Sequence, residues 1–568
     1  MNAAGMLHVP DSKFCFPISD NELVIRLRVD KKDSDIKVEI VHGPKYRFFE
    51  GIFTKQEMGL AYIDDEFAYF ETVLNLEDVR VAYVFEIEEK GKTLYYSEFG
   101  LSEEYDYAKS DDSFFQYSYI NDIDVHKVVS WADEAVFYQI FIDRFNRGDF
   151  TKDDSYIDMK CNEEPTRTSF MGGDIKGITE KLDYLEDLGI NAIYLTPLFV
   201  SKTNHKYDIT DYYAVDKQFG TKADLKELVE KSHKRGIKVI LDAVFNHASN
   251  DTKEFLDVVK KGKNSKYFNY FIIHGDKVSV DKPNYEMFSN CVDMPKWNNS
   301  NIEVQDFFID IGLYWIKEFD IDGWRLDVSD EVSHDFWRRF RKAVKKLKKD
   351  VIIVGENWHD AHAYLMGDQF DGIMNYAFRR ACKQYFAHET INSKTMSERL
   401  NNVLTRNTWQ VNRMNLNLTD SHDTARFFTE CGKNKDTMLA ALAVMYMFIG
   451  MPCIYYGTEL HMEGGEDPGC RKGFDWNEKD WDTEFRNKVK ELISLRKIKA
   501  VQKGHINITY DKDCFIMERF LDGQHLTIIT NKGKNAYDLG KKLDIVSANK
   551  VDNDSHKLEP NGYVIFNS

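Results

Sequence analysis

From about residue 135 onward, the sequence alternates between short apolar segments and amphipathic helical segments. This alternation limits the possible folds more than any other feature, because parallel βα units are the structures that produce it. The predicted strands are residues 135–141, 192–196, 238–242, 323–327, 351–356, 372–375, 414–418 and 453–456. Among the helices between them, Thr221 and Asp224 predict a capped start to a helix that ends at Gly236. Eight such units predict an α/β fold, the closed (β/α)8 TIM barrel.

The regions on either side of the barrel have the two-residue alternation of antiparallel strands. Residues 79–87 and 93–99 show it before the barrel, and the Asp522-Gly523 turn separates two further strand segments after it. We expect a β-sandwich on each side. The longest gap between barrel strands predicts a subdomain inserted after the third strand. The predicted domains are an N-terminal β-sandwich at 1–125, a catalytic barrel at 126–500 with its insertion at about 248–300, and a C-terminal β-sandwich at 501–568.

Composition limits the possible partners. The chain of 568 residues carries a formal net charge of -18 and has no basic stripe, which argues against binding to nucleic acid or to an anionic membrane. The eight cysteines are scattered without metal-ligand spacing, which predicts free thiols in a reducing compartment. The first residues lack the pattern of a secretory signal, and no apolar run is long enough to cross a membrane. We therefore expect a cytoplasmic protein.

Acidic residues stand where the predicted barrel strands end. In a (β/α)8 barrel these carboxyl ends form the catalytic face. In Asp320-Ile-Asp-Gly-Trp-Arg-Leu-Asp327, Arg325 and Asp327 are two residues apart and face the same side of the strand. An isolated Arg-x-Asp pair is usually a salt bridge. Here further carboxylates end neighbouring strands, which predicts one catalytic site formed by Asp242, Asp327, Glu356 and Asp423.

This set of carboxylates is typical of glycoside hydrolysis. One carboxylate attacks the sugar, a second protonates the leaving oxygen, and a third assists. A metal centre is the alternative for any carboxylate cluster, but the histidines lack HExxH or similar ligand spacing.

In these ordered motifs the chain resembles the α-amylase superfamily of retaining α-glycosidases, and within it the neopullulanase, cyclomaltodextrinase and maltogenic amylase group. The resemblance runs from about residue 131 to 500. It implies that Asp327 is the nucleophile, Glu356 the general acid/base, and Asp423 the carboxylate that stabilises the transition state. Arg325 is then the partner of the nucleophile.

The resemblance also implies a set of residues that bind substrate. Tyr207, in Asn204-His-Lys-Tyr-Asp208, resembles the aromatic platform under the sugar, and its other interpretation is a core tyrosine. Asp467 and Arg471 resemble a pair that contacts a sugar on the non-reducing side, or they form an internal salt bridge. The remaining members of the predicted binding set are Asp242, His247, Arg325, His422, Glu331, Trp297 and Trp358.

Two segments favour the cyclodextrin and pullulan group over ordinary α-amylases. Asp327-Val-Ser-Asp-Glu-Val332 has the group's glutamate at Glu331, although Asp330 replaces its usual asparagine. Met294-Pro-Lys-Trp-Asn298 is close to the group's motif, with Trp297 as the departure. Trp297 either stacks on a glucose or fills a hydrophobic contact.

The implied activity is hydrolysis of α-1,4 and some α-1,6 glucosidic bonds in cyclodextrins, pullulan and maltooligosaccharides, with transglycosylation as a further outcome. The resemblance also implies a homodimer in which the N-terminal module, similar to a starch-binding module, covers the partner's active site. The alternatives are an α-glucosidase or oligo-1,6-glucosidase of the same superfamily, and a non-catalytic glycan-binding protein.

No cofactor is expected for the reaction, but the group often holds a structural calcium ion. By resemblance its oxygen ligands come from Asn146, Asp149, Asp153, Gly172 and Asp174. Arg147 and Lys152 lie where further oxygen ligands are expected, and a cation beside calcium opposes its binding. Both outcomes therefore stay open from the sequence.

Overall fold

The computed structural model describes residues 1–110, 112–552 and 554–568. These residues form two compact units, each built from separated segments of the chain. The first contains Met1–Val128, Ile391–Asn412 and His505–Glu518, and the second contains Val129–Thr390, Arg413–Gly504 and Arg519–Ser568. The three-domain division drawn from the sequence stays a prediction.

Antiparallel strands make up most of the first unit. They are β1 Cys15–Pro17, β2 Glu22–Asp30, β3 Lys37–Pro44, β4 Thr54–Ile63, β5 Phe67–Asn75, β6 Val81–Glu89, β7 Lys92–Ser97, β8 Gly100–Ser102 and β9 Phe115–Tyr117. The hydrogen-bonded order is β1-β2-β5-β4-β3-β6-β7-β8, and β9 pairs with β6. Strand β4 joins the two halves, because its first part pairs with β3 and its last part with β5. A large apolar core fills the interior and a smaller cluster around Phe48 packs separately, so the predicted N-terminal β-sandwich is confirmed.

The second unit contains the predicted barrel. Its strands, with one additional hairpin, are β10 Phe137–Ile140, β11 Ala192–Leu195, β12 Phe199–Ser201, β13 Ile209–Val215, β14 Lys238–Ala243, β15 Gly323–Leu326, β16 Ile352–Gly355, β17 Gly372–Ile373, β18 Leu416–Leu418 and β19 Met451–Tyr455. Eight of them pair in parallel in the order β17-β16-β15-β14-β11-β10-β19-β18. The N–H of Asn375 donates to the carbonyl of Leu416 at 2.8 Å and brings β17 to β18, which closes the barrel. The antiparallel β12–β13 hairpin was not predicted.

Helices alternate with these strands. They are α1 Ile142–Phe145, α2 Ile175–Glu180, α3 Leu182–Leu188, α4 Lys222–Lys234, α5 Lys253–Lys261, α6 Ile302–Phe319, α7 His334–Leu347, α8 Tyr376–Cys382, α9 Ser393–Thr405, α10 Trp409–Met414, α11 Phe427–Glu430, α12 Lys435–Met447, α13 Thr483–Ser494 and α14 Lys499–Lys503. The predicted cap of α4 is present: Asp224 N–H donates to Thr221 Oγ1 at 3.2 Å, and Thr221 N–H donates to Asp224 Oδ2 at 2.7 Å. The chain then leaves the helix through Gly236 at φ 73°, a left-handed conformation that glycine adopts readily.

Strands return at the C-terminal end of the chain. They are β20 His505–Asp511, β21 Cys514–Leu521, β22 Gln524–Asn531, β23 Tyr537–Asp538, β24 Asp544–Asp552 and β25 Lys557–Asn567. Strand β25 is central, pairing with β22 and β23 along one edge and with β24 along the other.

The first unit is completed by a segment that follows the sixth barrel strand in sequence. Asn401 Nδ2 donates to the carbonyl of Ile63 at 2.9 Å, and Gln410 Nε2 donates to the carbonyl of Pro17 at 2.7 Å. Arg26 is fully buried in the same region and forms an ion pair with Glu71. The N-terminal strands therefore share one folded unit with residues 391–412.

Candidate active site

Arg325 lies at the centre of the predicted carboxylate cluster. Its Nη1 is 2.8 Å from Asp327 Oδ1 and 3.0 Å from both carboxylate oxygens of Asp242. Its Nη2 is 2.9 Å from Glu356 Oε1. Strands β14, β15 and β16 are adjacent and place these residues in register, with Asp242 directly opposite Arg325. One guanidinium thus contacts the predicted nucleophile and the predicted acid together.

Burial raises the pKa values of carboxyl groups in this cluster. It raises the pKa of Asp327 well above its usual range; the charges of Glu356, Asp242 and Asp423 add to this, and Arg325 opposes it. Burial likewise raises the pKa of Asp242 to about 6, against the pull of Arg325. The arrangement concentrates more negative than positive charge, so it favours keeping a proton on one carboxyl group.

Glu356 accepts two hydrogen bonds from different parts of the site in addition to its ion pair with Arg325. Besides Arg325, Trp358 Nε1 donates to Glu356 Oε1 at 3.2 Å, and the N–H of Val328 donates to Oε2 at 3.0 Å. Val328 has φ 44°, a left-handed conformation that is strained for a β-branched residue. That strain directs the backbone N–H toward the carboxylate.

Asp423 lies beside two cationic or polar partners. Arg471 Nη2 is 3.4 Å from Asp423 Oδ1, and His422 Nε2 is 3.1 Å from Oδ2. Burial raises the pKa of Asp423, while Arg325 and Arg471 counter it. The structure therefore brings all four predicted carboxylates to one site.

A hydrogen-bonded relay connects His422 to the cluster. Gln139 Nε2 donates to His422 Nδ1 at 2.6 Å, so the imidazole carries its proton on Nε2. That nitrogen is 2.6 Å from the hydroxyl of Tyr207, which donates to Asp242 Oδ2 at 2.9 Å. Burial lowers the pKa of His422 well below its usual value, so the ring is neutral. The Tyr207 ring lies parallel to the imidazole, at an interplanar angle of 4°.

The Nε2 atom of His247 faces the site and can donate or accept a hydrogen bond. Its Nε2 is 3.9 Å from Asp327 Oδ2 and has no hydrogen-bond partner among the described residues. Burial lowers the pKa of His247 to about 3. Phe288, from the inserted segment, stacks on the imidazole with a centroid distance of 4.7 Å. The ring plane is therefore set by a residue that the sequence did not single out.

Two predicted binding residues are fixed by neighbours at the strand ends. Lys296 Nζ is 3.2 Å from Glu331 Oε2 and also contacts Asn246 Oδ1. Trp358 is 40% exposed and stacks on Tyr376 with a centroid distance of 3.8 Å. Trp358 thus presents a supported aromatic face beside Glu356.

The prediction that Trp297 binds substrate is wrong. Its side chain is only 1% exposed and stacks on Phe271 with a centroid distance of 4.6 Å. Its Nε1 donates to the hydroxyl of Tyr212 at 3.2 Å. Trp297 is therefore the hydrophobic contact that the sequence left open, because its ring is enclosed and cannot stack on a glucose.

Asp467 and Arg471 form a pair that reaches the site. Arg471 Nη1 is 2.8 Å from Asp467 Oδ1, and its Nε donates to the carbonyl of His422 at 2.9 Å. Because its Nη2 also contacts Asp423, Arg471 forms the internal salt bridge with Asp467 and also lies at the active site.

The predicted calcium ligands do not fit a calcium ion. Lys152 Nζ is 2.7 Å from Asp174 Oδ2 and donates to the carbonyls of Gly172 and Gln218, each at 2.8 Å. The three other predicted ligands point their oxygens elsewhere or use them within the loop. Asn146 donates its amide to the carbonyl of Gly177, Asp149 accepts from Thr151, and Asp153 accepts from Ser155. Within the described residues no group of three acidic, histidine or cysteine side chains could hold a metal.

Several residues of the site escaped sequence reasoning. Gln139 on β10 and Tyr194 on β11 are polar residues in buried strands, and that contrast was an available signal. Tyr194 donates to Asp242 Oδ2 at 2.6 Å. Phe288, Tyr376 and the backbone of Val328 carry no sequence pattern that distinguishes them from ordinary packing or turn residues.

A closed barrel with paired carboxylates on one guanidinium defines the class of glycoside hydrolases built on a (β/α)8 scaffold. A family profile described as the α-amylase catalytic domain matches residues 139–503, and one described as the α-amylase N-terminal Ig-like domain matches residues 1–121. The chain belongs to the α-amylase family.

Similar proteins cover the chain almost end to end. A cyclomaltodextrinase of Thermoanaerobacter pseudethanolicus is 43% identical over 562 residues, covering 96% of this chain and 94% of that protein. Neopullulanase 2 of Thermoactinomyces vulgaris is 40% identical, covering 93% and 90%. A solved structure of a cyclomaltodextrinase matches with a TM-score of 0.91 at 34% identity, covering 100% of this chain and 98% of the other.

Two further sequence predictions can be compared with the structure. All eight cysteines are free thiols, as expected. A helix with the length and apolar character to span a membrane is not found in the described part of the chain.

Proposed function

We propose that this protein hydrolyses α-1,4 and some α-1,6 glucosidic bonds of cyclodextrins, pullulan and maltooligosaccharides, with retention of configuration. The observation that carries the proposal is the Arg325 guanidinium, which contacts Asp327 at 2.8 Å and Glu356 at 2.9 Å. A retaining route needs its two carboxyl groups about 5–5.5 Å apart, and a shared guanidinium favours such closeness.

In the first step, Asp327 attacks the anomeric carbon while Glu356 gives its proton to the departing glycosidic oxygen. This forms a β-linked glucosyl-enzyme and releases the reducing-side sugar. Arg325 orients Asp327 and favours its ionised form against the effect of burial, and Asp423 interacts with the sugar as positive charge develops on its ring. His422, with its proton on Nε2, and His247 are placed to bond the sugar hydroxyls.

In the second step, Glu356 removes a proton from water, which attacks the anomeric carbon and displaces Asp327. The α configuration is restored and both carboxyl groups return to their starting states. If a sugar hydroxyl replaces water, the same step gives transglycosylation. The exposed face of Trp358 beside Glu356 suits an incoming sugar ring.

The substrate class is supported by the relatives. Their names are cyclomaltodextrinase, neopullulanase and maltogenic amylase, and they align over nearly the full chain, including the Ig-like N-terminal domain. Solved structures of a hydrolase of cyclic α-maltosyl-(1→6)-maltose from Arthrobacter globiformis cover 78% of this chain.

Purified enzyme incubated with β-cyclodextrin, pullulan, maltotriose and soluble starch tests the substrate class by product chromatography over time. We expect rapid opening of cyclodextrin, panose from pullulan, and slow attack on starch. Glucose release from maltotriose with cyclodextrin untouched would instead assign an α-glucosidase.

Glu356→Gln tests whether the site is catalytic. We expect turnover to fall by about 10⁴-fold or more, because the amide cannot supply or remove the proton. Glu134→Gln, at an exposed glutamate, is the matched control and should retain wild-type turnover. Equal turnover by the two variants would contradict the acid/base role of Glu356, whereas absence of turnover in the unsubstituted protein would leave a glycan-binding protein as the better assignment.

We further propose that the protein is a cytoplasmic homodimer. Two relatives from Bacillus subtilis are named intracellular maltogenic amylase. The first unit exposes large aromatic side chains, with Tyr46 66% and Phe99 74% exposed, which suits burial against a second copy. Light scattering coupled to size exclusion should give a mass near twice 66.5 kDa.

A further inference from the structure

The loop between β10 and α2 encloses a lysine ammonium where the family resemblance placed a calcium ion. Lys152 has a side chain only 7% exposed, and its acidic partner Asp174 is 1% exposed. The ammonium lies within 2.8 Å of three oxygens: a carboxylate oxygen of Asp174 and the carbonyls of Gly172 and Gln218. An ammonium group has three N–H donors, so this set of acceptors satisfies it completely.

The three acceptors come from separate parts of the second unit. Gly172 and Asp174 immediately precede α2, and Gln218 follows the β12–β13 hairpin. Asp174 also accepts from the N–H groups of Gly148 and Gly177, at 3.0 and 2.7 Å. The lysine therefore links the loop that follows the first barrel strand to the segment that follows the hairpin.

The ammonium group of Lys206 is also buried and lies beside Gln218. Lys206 Nζ is 2.9 Å from Asp216 Oδ2, donates to the carbonyl of Ser201 at 3.0 Å, and contacts Gln218 Oε1. Gln218 therefore accepts from Lys152 through its carbonyl and from Lys206 through its side chain. Lys206 precedes Tyr207 of the active site, so these links stabilise the segment that carries it.

We propose that Lys152 fills a cation site with its own ammonium group, so that the fold needs no calcium, and that this site accepts a divalent cation when the lysine is replaced by an oxygen-bearing residue. Convergent carboxylate and carbonyl oxygens are ligands of the kind that calcium uses. A tethered cation at less than 3 Å from them excludes a free divalent ion through repulsion and by occupying its space.

Apparent Tm, measured by differential scanning calorimetry in calcium chloride and in EDTA, tests the proposal with the full chain. We expect the wild-type Tm to agree in the two buffers to within about 1 °C, since a ligand stabilises only the fold that binds it. A wild-type Tm that falls in EDTA, or calcium retained by the wild-type protein after dialysis, overturns the proposal.

Two substitutions separate the ammonium from a generic packing role. Lys152→Met keeps an unbranched side chain of similar length but removes the charge. We expect it to lower Tm by about 5 °C in both buffers. Lys160→Met, at an exposed lysine of the same loop, is the control and should leave Tm unchanged. Equal Tm values for the two variants overturn the stabilising role of Lys152.

Lys152→Asn supplies an amide oxygen in place of the ammonium. We expect its Tm to be lowest in EDTA and to rise with calcium concentration, with about one calcium bound per chain by titration calorimetry. A Lys152→Asn protein that folds but binds no calcium shows that these oxygens are not a cation site and overturns the proposal. None of these measurements requires catalytic turnover.

Discussion

At the scale of single residues, the site is organised by the shared contacts of Arg325. The guanidinium is planar and offers donors in fixed directions, so it can contact two carboxylates at once. Asp327 and Glu356 have opposite tasks, one ionised and one protonated, yet they share this partner. Their other contacts differ: Asp327 faces His247, whereas Glu356 accepts from the Val328 N–H and from Trp358 Nε1.

Asp327→Asn should remove activity while stabilising the fold. We expect kcat to fall by about 10⁴-fold or more and the free energy of unfolding at pH 7 to rise by about 1 kcal/mol. The reason is that burial raises the folded-state pKa of Asp327, so ionising it costs stability. Thermal unfolding across pH provides the measurement.

The stability gain of Asp327→Asn should depend on pH in one direction. Below about pH 4, the usual pKa of an aspartate, Asp327 is protonated in both folded and unfolded chains, and the variants should match. As pH rises from that value toward the raised folded-state pKa, the wild type loses stability and the variant does not, and above the folded-state pKa the difference is constant. A variant less stable than wild type at pH 7 would show that the Asp327–Arg325 ion pair outweighs the cost of burial.

Arg325→Lys tests whether charge alone is sufficient. The ammonium cannot reach both carboxylates as the guanidinium does, so we expect kcat/KM to fall by about 10²- to 10⁴-fold. The pH dependence of kcat/KM should also change, because the Arg325 guanidinium counters the burial that raises the pKa of Asp327. Arg47→Lys, at an exposed arginine, is the control, and retention of activity in Arg325→Lys would argue against the shared contact.

At the scale of elements, the segment between β14 and α6 does more than extend the chain. It carries Phe288, whose ring sets the plane of the His247 imidazole, and Lys296, which contacts Glu331. It also encloses Trp297 in an aromatic cluster. The inserted segment therefore packs against residues that follow β14 and β15, the strands next to the catalytic residues.

Phe288→Ala should weaken substrate binding more than chemistry. Loss of a ring contact of about 0.5–1.5 kcal/mol frees the His247 imidazole, so we expect KM to rise roughly three- to tenfold with a smaller change in kcat. Initial rates on β-cyclodextrin provide the measurement. Phe150→Ala, at a phenylalanine 73% exposed, is the control, and an unchanged KM in Phe288→Ala would show that the stack does not position His247.

Sequence patterns predicted the elements whose signal is local. The alternation of strands and helices located the eight barrel strands, and the Thr221–Asp224 box marked the start of α4. Acidic residues at strand ends located the site, because burying a charge costs free energy unless the charge is paired or has a catalytic role. The β12–β13 hairpin was missed because it lies within a segment whose polar and aromatic residues lack a clear period.

Features that depend on distant contacts could not be predicted from the sequence. The burial of Trp297 depends on Phe271 and Tyr212, which lie elsewhere in the chain. The left-handed conformation of Val328 is unusual for valine, so propensity argues against it. The three acceptors of Lys152 converge only after folding, although the sequence did show that a cation opposes calcium there.

At the scale of the whole molecule, the first compact unit does not end with the N-terminal strands. Residues 391–412 and 505–518 belong to it, and they contribute contacts to strands that precede them by hundreds of residues. Asn402 Nδ2 donates to Asp64 Oδ2 at 3.0 Å, and Trp409 Nε1 donates to Glu71 Oε1 at 3.1 Å. The N-terminal region is therefore not a detachable module.

Deletion of residues 1–128 should not yield an independent catalytic barrel. It leaves Asn401, Asn402, Trp409 and Gln410 without their partners, so we expect low soluble yield and a broadened unfolding transition. Size exclusion and calorimetry provide the measurements. Supplying residues 1–128 in trans should restore soluble protein, and a monodisperse, fully active truncated chain would contradict the prediction.

The composite nature of this unit also sets an order of events during synthesis. The first 128 residues emerge from the ribosome early in synthesis. Their main apolar core can then form at once, since its buried members all lie between Met6 and Val125. Arg26, however, has carbonyl partners at Thr405 and Asn407 that are translated much later. At roughly 5–20 residues per second, the nascent unit spends tens of seconds with Arg26 held by Glu71 alone among its acidic partners, before these two carbonyls are available.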